Sequence, residues 1–288
     1  MPDEEVIGGY RLLKHMATGQ ASQVWEVVEV ASGRHLAMKL LLPEKAQEST
    51  YRKFLLHEAE VGQELAHPNI IRILKVGRDE NNPYFIMEFF PSGSLKARLL
   101  RKEFDFIREK GQDILKQGAT ALAFMNAKGW VHRDVKPDNL LVNSAGEVRL
   151  IDFAIARKIP TGFFTRLFWR KEKAQGTPSY MSPEQIRSLP LDARADIYSF
   201  GAMAYELVTN RPPFRGSSYQ DLLTKHIAEK PVTPRQHNPD VTDEFANLIL
   251  RMLSKKKEDR PRDFHEVLMK MRAIRLFKPQ DSSKPRKS

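Results

Sequence analysis

Apolar residues in the first third of the chain fall into short runs separated by turn residues. Residues 10–16, 24–30, 36–42 and 83–90 are such runs, and each predicts a β-strand. Residues 49–65 instead have the composition of a helix. The pattern therefore predicts a β-rich start that contains one helix.

The remainder of the chain is dominated by helical spacing. Apolar or small residues recur at that spacing before residue 128 (Ile114, Gly118, Ala121, Leu122, Met125), and Lys128-Gly129 predicts the end of the helix. Two short apolar runs, 140–142 and 148–151, predict strands around a turn. Residues 196–208 are apolar nearly all round, which predicts a buried helix, and residues 242–273 predict amphipathic helices.

Composition narrows the class of protein. The 288 residues are 41% hydrophobic and 29% charged, an ordinary balance for one large two-lobed domain. No run approaches the ~18 apolar residues of a membrane span, and the start of the chain is too acidic for a signal peptide. Cysteine is absent and the eight histidines form no close pair, so a zinc site is not expected. These features favour a cytoplasmic location.

The net charge of +11 is concentrated in two segments. Residues 153–175 and residues 272–288 each carry six Lys or Arg against one acidic residue, a net charge of +5 apiece. The rest of the chain is nearly neutral. This distribution argues against a nucleic-acid-binding protein with a broad basic face and indicates two local basic segments.

Charged and amide side chains are packed into the loop that precedes residue 140. It reads His132-Arg133-Asp134-Val135-Lys136-Pro137-Asp138-Asn139. Loops on rigid scaffolds are where catalytic groups concentrate. The octet resembles the catalytic loop of eukaryotic-like (Hanks-type) serine/threonine protein kinases, and other details of the sequence resemble their bacterial branch.

The resemblance implies an α+β fold, the bilobal protein-kinase fold with a small mostly-β N-lobe and a larger mostly-α C-lobe. It covers about residues 8–275, with the N-lobe at about 8–90 and the C-lobe at about 91–275. Residues 1–7 would be an extension and residues 276–288 a basic, disordered tail.

The implied activity is transfer of the γ-phosphate of ATP to Ser or Thr hydroxyls of proteins. Asp134 would act on the acceptor hydroxyl and Lys136 would neutralise the transferring phosphoryl group. Asn139 and Asp152 would bind Mg²⁺, with Mn²⁺ as an alternative. Lysine at position 136 resembles Ser/Thr kinases rather than tyrosine kinases.

The same resemblance assigns the ATP-binding residues. Lys39 would hold the α- and β-phosphates, and an ion pair with Glu58 would fix its ammonium group. The other residues expected around the nucleotide, two of them through their backbone, are Ala17, Gly19, Val24, Ala37, Met87, Glu88, Phe90 and Leu141. Only Gly19 and Val24 survive from the family's glycine-rich pattern, so the phosphate loop is expected to be weakened but retained.

Two positions depart from the family where its members switch between active and inactive states. Gly62 stands where relatives have a bulky apolar residue, and we expect looser packing there, by about 1–3 kcal/mol. Ala154 replaces the glycine of the Asp-Phe-Gly element. Because alanine disfavours φ > 0, we expect a less mobile switch that still binds magnesium.

Some residues are implied to support the site. Thr177 would bridge Asp134 and Lys136, Asp196 would anchor the catalytic loop, and Glu184 would pair with Arg260. Arg133 marks kinases in which a phosphate orders the activation segment, yet the customary modified position is Lys173. We hypothesise that Glu172 supplies the anion for Arg133; Thr161 and Thr165 remain candidate modification sites.

The segment 155–175 mixes aromatic residues with cations and leaves three interpretations open. Its aromatics pack on the large lobe while its cations face water, or it contacts an acidic partner or membrane surface, or, least favoured, it binds nucleic acid. The basic tail could share such a partner.

A protein substrate is the main partner implied, because residues 176–184 resemble a substrate-docking platform. The alternative function is a pseudokinase, a scaffold that binds nucleotide without phosphoryl transfer. The substitutions at positions 17, 22, 62 and 154 favour it, while the intact Lys39, Glu58, Asp134, Asn139 and Asp152 oppose it.

Overall fold

The computed structural model describes residues 5–79, 82–159 and 175–279. Its first part is a six-stranded antiparallel sheet in the order β1-β2-β3-β4-β6-β5. The strands are β1 (Val6–Ile7), β2 (Tyr10–Thr18), β3 (Ser22–Glu29), β4 (His35–Leu41), β5 (Ile73–Asp79) and β6 (Asn82–Glu88). The four strands predicted from the sequence correspond to β2, β3, β4 and β6, so these predictions are confirmed.

Two helices follow β4 and lie against this sheet, α1 (Pro43–Ala46) and α2 (Ser49–Glu64). Leu55 and Ala59 on α2 pack against Phe85 of β6 and Leu41 of β4. Burial of one face of α2 on the sheet stabilises the helix more than its propensity does. The sheet and α2 together form the small lobe.

The large lobe is mainly helical. Its helices are α3 (Leu95–Leu100), α4 (Phe104–Ala127), α5 (Pro183–Ile186), α6 (Ala193–Thr209), α7 (Tyr219–Ala228), α8 (Asp243–Met252) and α9 (Phe264–Ala273). Five short strands accompany them: β7 (Gly93–Ser94), β8 (Trp130–Val131), β9 (Leu140–Val142), β10 (Val148–Leu150) and β11 (Arg157–Lys158). Strands β10, β9 and β7 form one antiparallel sheet, and β11 pairs with β8.

Helix termini in the large lobe follow the sequence signals. Helix α4 ends before Gly129, which adopts φ 81° and donates its N–H to Asn126 O at 2.9 Å, as the Lys128-Gly129 pair predicted. Asp192 caps the N-terminus of α6 by accepting from Arg194 N. From Ala195 to Val208 every residue of α6 is buried, which confirms the predicted all-round burial.

The two-lobed α+β fold is therefore confirmed, with α4 and α6 at the centre of the large core. In the ranges that the structure describes, no helix combines the length and the hydropathy needed to cross a membrane.

The expectation of loose packing at Gly62 is wrong. A Cβ built on Gly62 would lie 2.3 Å from Ile73 Cδ1 and 3.4 Å from Phe153 Cδ2. The Ile73 side chain, from the neighbouring strand β5, therefore occupies the space that a side chain on α2 would fill. This packing could not be predicted from the sequence, because Ile73 and Gly62 are brought together only by the tertiary fold.

Candidate active site

The loop at residues 132–139 is held by a buried carboxylate. Asp196, fully buried near the start of α6, accepts from His132 N at 2.8 Å and from Arg133 N at 2.9 Å. Arg133 has the left-handed φ of 71°, a strained conformation for a residue other than glycine. The predicted anchoring role of Asp196 is thus present, and its two hydrogen bonds compensate for that strain.

Three side chains close a triangle at the centre of the loop. Thr177 Oγ1 donates to Asp134 Oδ1 at 2.8 Å and accepts from Lys136 Nζ at 2.8 Å. Lys136 Nζ also lies 2.7 Å from Asp134 Oδ2, and Thr177 N donates to Asp134 Oδ1 at 2.9 Å. The Asp134 carboxylate is thereby fixed in direction and paired with a cation.

Asn139 joins this triangle from the end of the loop. Its Nδ2 donates to Asp134 O at 2.8 Å and to Asp134 Oδ2 at 3.2 Å. Its backbone carbonyl accepts from Ile151 N at 3.0 Å, next to Asp152. The amide nitrogen is directed towards Asp134, so the amide oxygen remains as a metal donor.

Lys39 and Glu58 form the predicted ion pair between β4 and α2. Lys39 Nζ lies 2.8 Å from Glu58 Oε1 and 2.6 Å from Oε2, and the two side chains are 15% and 6% exposed. Burial lowers the pKa of Lys39, but the charges of Glu58 and Asp152 outweigh it, so the pKa is raised. Burial raises the pKa of Glu58 to about 7 despite Lys39.

Asp152 provides the ionised carboxylate of the site. Burial raises its pKa, but attraction to Lys39, His132 and Lys136 outweighs this and the net pKa lies below the ordinary value. An ionised carboxylate and an amide oxygen are the hard oxygen donors that Mg²⁺ prefers. Asp152 and Asn139 therefore fit the predicted metal. Ala154 lies outside the left-handed region, whereas Asp152 has φ 68°.

The residues predicted around the nucleotide lie mainly on neighbouring strands. Ala17 pairs with Val24 across the β2–β3 hairpin, and Gly19 N donates to Ser22 O at 2.7 Å in its turn. Val24 pairs with Lys39, and Ala37 pairs with Met87. This register places Val24 and Met87 on the two strands that adjoin β4, the strand that carries both Ala37 and Lys39. Leu141 lies on β9, between Arg149 and Ser94.

Hydrogen bonds within the connector between the lobes limit which of its backbone groups could contact a nucleotide. Glu88 N donates to Arg72 O at 2.9 Å, so a contact of the Glu88 backbone with adenine would use its carbonyl. Phe90 O accepts from Ser92 Oγ at 3.3 Å. The Glu88 carboxylate accepts from Arg149 Nε at 3.1 Å, and the Arg149 guanidinium lies 4.6 Å from the Phe90 ring centroid.

Two supporting contacts were missed by the sequence reasoning. Gln185 Nε2 donates to Arg133 O at 2.7 Å, which ties α5 to the catalytic loop. His57 Nε2 donates to Ala156 O at 2.8 Å, which ties α2 to the segment after Asp152. The only sequence signals were an amide beside Glu184 and a histidine beside Glu58, and neither specifies a partner.

Part of the predicted regulatory segment lies outside the described residues. This applies to Glu172, Lys173, Thr161 and Thr165, and to the charged end of the tail beyond residue 279. Arg133 Nη1 donates to Ile155 O at 3.2 Å. The Glu172–Arg133 hypothesis thus stays a prediction.

The fold and site together define a protein kinase. A buried Lys–Glu pair, a catalytic-loop aspartate paired with lysine and threonine, and an ionised aspartate after β10 lie in one two-lobed domain. The sequence matches the protein kinase domain family over residues 10–271. The chain therefore belongs to the protein kinase family, as predicted.

Similar proteins are bacterial serine/threonine kinases. The chain is 32% identical over 259 residues to a probable serine/threonine-protein kinase of Clostridium acetobutylicum, covering 90% of the chain and 39% of that protein. It is 30% identical over 284 residues to serine/threonine-protein kinase PknB of Mycolicibacterium smegmatis, covering 96% and 44%. It is 31% identical over 286 residues to serine/threonine-protein kinase pkn3 of Myxococcus xanthus, covering 97% and 52%. The chain thus spans about two-fifths to one-half of the length of these relatives, and the predicted bacterial branch is confirmed.

Proposed function

We propose that this chain is an ATP-dependent serine/threonine protein kinase domain, extending over residues 8–275. The observation that carries the proposal is the Thr177–Asp134–Lys136 triangle, in which a carboxylate is fixed beside a cation within 2.7–2.8 Å. Such a carboxylate can orient an acceptor hydroxyl and take up its proton. The relatives named as serine/threonine kinases support the choice of Ser or Thr as acceptor.

Catalysis would come from positioning and electrostatics. Lys39, held by Glu58, would bind the α- and β-phosphates of ATP. Asp134 would align the acceptor hydroxyl, and Lys136 would offset the charge that develops on the transferring phosphoryl group. Asp152 and Asn139 would hold Mg²⁺, which when bound would neutralise phosphate charge; Mn²⁺ would serve in its place because it accepts similar oxygen donors.

The pseudokinase alternative gains no support from the described site. Lys39 and Glu58 are paired, Asp134 is fixed, and Asp152 is ionised. We place the domain in the cytoplasm, where ATP is available. An acidic partner or a membrane surface for residues 155–175 and the basic tail remains a proposal that rests on the charge of those segments.

The decisive experiment measures transfer of labelled γ-phosphate from ATP with magnesium, to the protein itself and to a generic basic protein substrate. Asp134→Asn and Asp152→Ala should each reduce incorporation by about 10²-fold or more. Asp113→Asn is the matched control, since that side chain is 71% exposed on α4. Equal incorporation in the wild type and both site variants would refute the proposal. Bound ATP without transfer would favour the pseudokinase.

We further propose that Glu172 supplies the anion for Arg133 and that no phosphate is needed there. The support is that position 173 is lysine and that no Ser or Thr lies between Thr165 and Thr177. Glu172→Ala should lower transfer, and Glu172→Asp should retain part of it. Glu229→Ala, an exposed site at the end of α7, is the control. Undiminished activity in Glu172→Ala would rule the idea out.

A further inference from the structure

A cavity on the large lobe lies away from the Lys39 and Asp134 site. Its volume is about 710 Å³, and its walls come from α5, the start of α6, the end of α7 and the loop before Arg260. We call it the α5 cavity. Its apolar lining includes Ile159, Leu189, Leu191 and Ile227, and Leu189 is 46% exposed. The volume lies in the range of pockets that bind small molecules or anchoring side chains.

The charged lining of the α5 cavity is unbalanced. Five basic residues line it, Arg187, Arg194, Lys255, Lys256 and Lys257, against the three acidic residues Glu184, Asp192 and Glu258. An excess of cations around an apolar pocket favours an anionic ligand with an apolar part.

Each acidic group of the lining already has a basic partner. Glu184 Oε1 lies 2.7 Å from Arg260 Nη1. Asp192 Oδ2 lies 2.9 Å from Arg194 Nη2 and 3.1 Å from Lys257 Nζ. The Glu258 carboxylate is 3.9 Å from Arg194 Nη1. None of the three is therefore left over to neutralise another cation.

Two cations of the lining remain available to a ligand. Arg187 and Lys256 are exposed, and in the described parts of the chain neither has an acidic partner. Lys255 differs, because its Nζ donates to His226 O at 2.9 Å. Burial and the charge of Arg260 lower its pKa to about 8. The positive charge that could bind a ligand in the cavity therefore comes mainly from Arg187 and Lys256.

We propose that the α5 cavity is a docking site for an acidic segment of the protein substrate, anchored by apolar side chains. This rests on the proposed kinase function. The chain's own segment 272–288, with a net charge of +5, is a poor occupant because like charges repel. Segment 153–175 has the same net charge and already contributes Ile159 to the wall of the cavity. A recessed apolar pocket with cations beside it fits a peptide side chain better than a flat membrane surface.

The wall of the cavity is connected to the catalytic loop. Pro183 and Glu184 line the cavity, and the next residue of α5, Gln185, donates to Arg133 O at 2.7 Å. Arg133 precedes Asp134. A substrate docked on α5 would therefore be held beside the platform that carries Thr177, which raises the local concentration of its acceptor hydroxyl.

The test measures fluorescence anisotropy of a labelled peptide in which two adjacent leucines are flanked by glutamates. Arg187→Glu with Lys256→Glu should weaken its binding by about tenfold, since each reversal removes an attraction and adds a repulsion. Leu189→Ser should also weaken binding, through the apolar anchor. The matched control is Lys53→Glu with Lys270→Glu, two exposed lysines outside the cavity lining.

Two further peptides test the apolar anchor and the acidic charge separately. Replacing the leucines by serines, or the glutamates by lysines, should each reduce binding. Equal binding of the lysine peptide, or of the acidic peptide to the charge-reversed protein, would overturn the proposal. So would sedimentation with phosphatidylserine vesicles that needs Arg187 and Lys256 while the peptide fails to bind.

The anisotropy measurement needs no ATP and is repeated on Asp134→Asn. Peptide binding by a wild-type protein that transfers no phosphate would leave the docking site standing and remove the kinase function. Transfer without peptide binding would do the reverse.

Discussion

Two buried ion pairs, one in each lobe, differ in how completely their charges are satisfied. Arg260 and Glu184 in the large lobe form a two-pronged contact at 2.7 and 2.9 Å, with side chains 0% and 8% exposed. Arg260 also donates to the carbonyls of Ser254, Arg194 and Lys255. Lys39 in the small lobe has one acidic partner in contact, Glu58, and burial raises the pKa of that partner to about 7.

We interpret this difference as one between a structural pair and the proposed nucleotide-binding pair. All the donors of Arg260 face carbonyls or a carboxylate, so the pair fixes α5 against the loop before Arg260 and has no capacity for a ligand. The Lys39–Glu58 pair is less well compensated, and its ammonium also feels the Asp152 charge. An anionic phosphate would complete it. We infer that the pair is poised for a ligand at some cost in stability of the free protein.

The largest expected effect is on the structural pair. Arg260→Met would leave the Glu184 carboxylate buried without its cation, and the free energy of unfolding should fall by about 3–5 kcal/mol. Urea denaturation monitored by circular dichroism measures this. Arg262→Met is the control, because that side chain is 80% exposed and should cost less than about 1 kcal/mol. Equal losses for the two variants would contradict the contrast drawn between the pairs.

Loss of the Lys39–Glu58 pair should affect phosphate transfer more than it affects stability. Lys39→Met should lower phosphate transfer by about 10²–10³-fold, the usual effect of losing one group that stabilises the transition state. Its unfolding free energy should fall less than in Arg260→Met, since Glu58 without Lys39 can take up a proton. The measurements are labelled-phosphate transfer and urea denaturation, with Lys14→Met, an exposed lysine on β2, as control. A stability loss matching that of Arg260→Met would mean that both pairs are structural.

The pH dependence of stability provides a sharper test of Glu58. Its folded-state pKa of about 7 lies above its ordinary value of 4.5, so the folded protein binds this proton more tightly than the unfolded chain. The resulting stabilisation is complete below pH 4.5 and is lost as the pH rises through 7. The Tm of the wild type minus that of Glu58→Gln should therefore decrease between pH 5 and pH 8. A difference that stays constant from pH 5 to pH 8 would show that Glu58 is ionised throughout this range.

The sequence predicted the candidate functional side chains and their order along the chain better than it predicted the contacts that hold them in place. Lys39, Asp134 and Asp152 could be placed because each stands in a local motif. The ties of Gln185 to Arg133 and of His57 to Ala156 could not. They join residues that are far apart in the chain, and one partner in each is a backbone carbonyl that any residue type would supply.

The packing of Ile73 into the space beside Gly62 is another contact that the sequence could not predict. It gives the smallest expected effect on stability. Ile73→Val should destabilise the protein by about 0.5–1.5 kcal/mol through lost packing near Phe153. Gly62→Ala should destabilise the protein by about 1–3 kcal/mol, because the new Cβ would lie 2.3 Å from Ile73 Cδ1. The higher helix propensity of alanine should offset up to about 1 kcal/mol of this loss.

Because valine lacks that Cδ1 atom, the double variant should lose less stability than the sum of the two single variants. Urea denaturation of all four proteins gives this coupling free energy, which should be about 0.5–1.5 kcal/mol. The fit between Ile73 and Gly62 positions α2 and therefore Glu58. Among the same four proteins, lower stability should therefore go with a higher KM for ATP. Strict additivity would mean that the two positions do not share one volume, and that the Glu58 helix is held by other contacts.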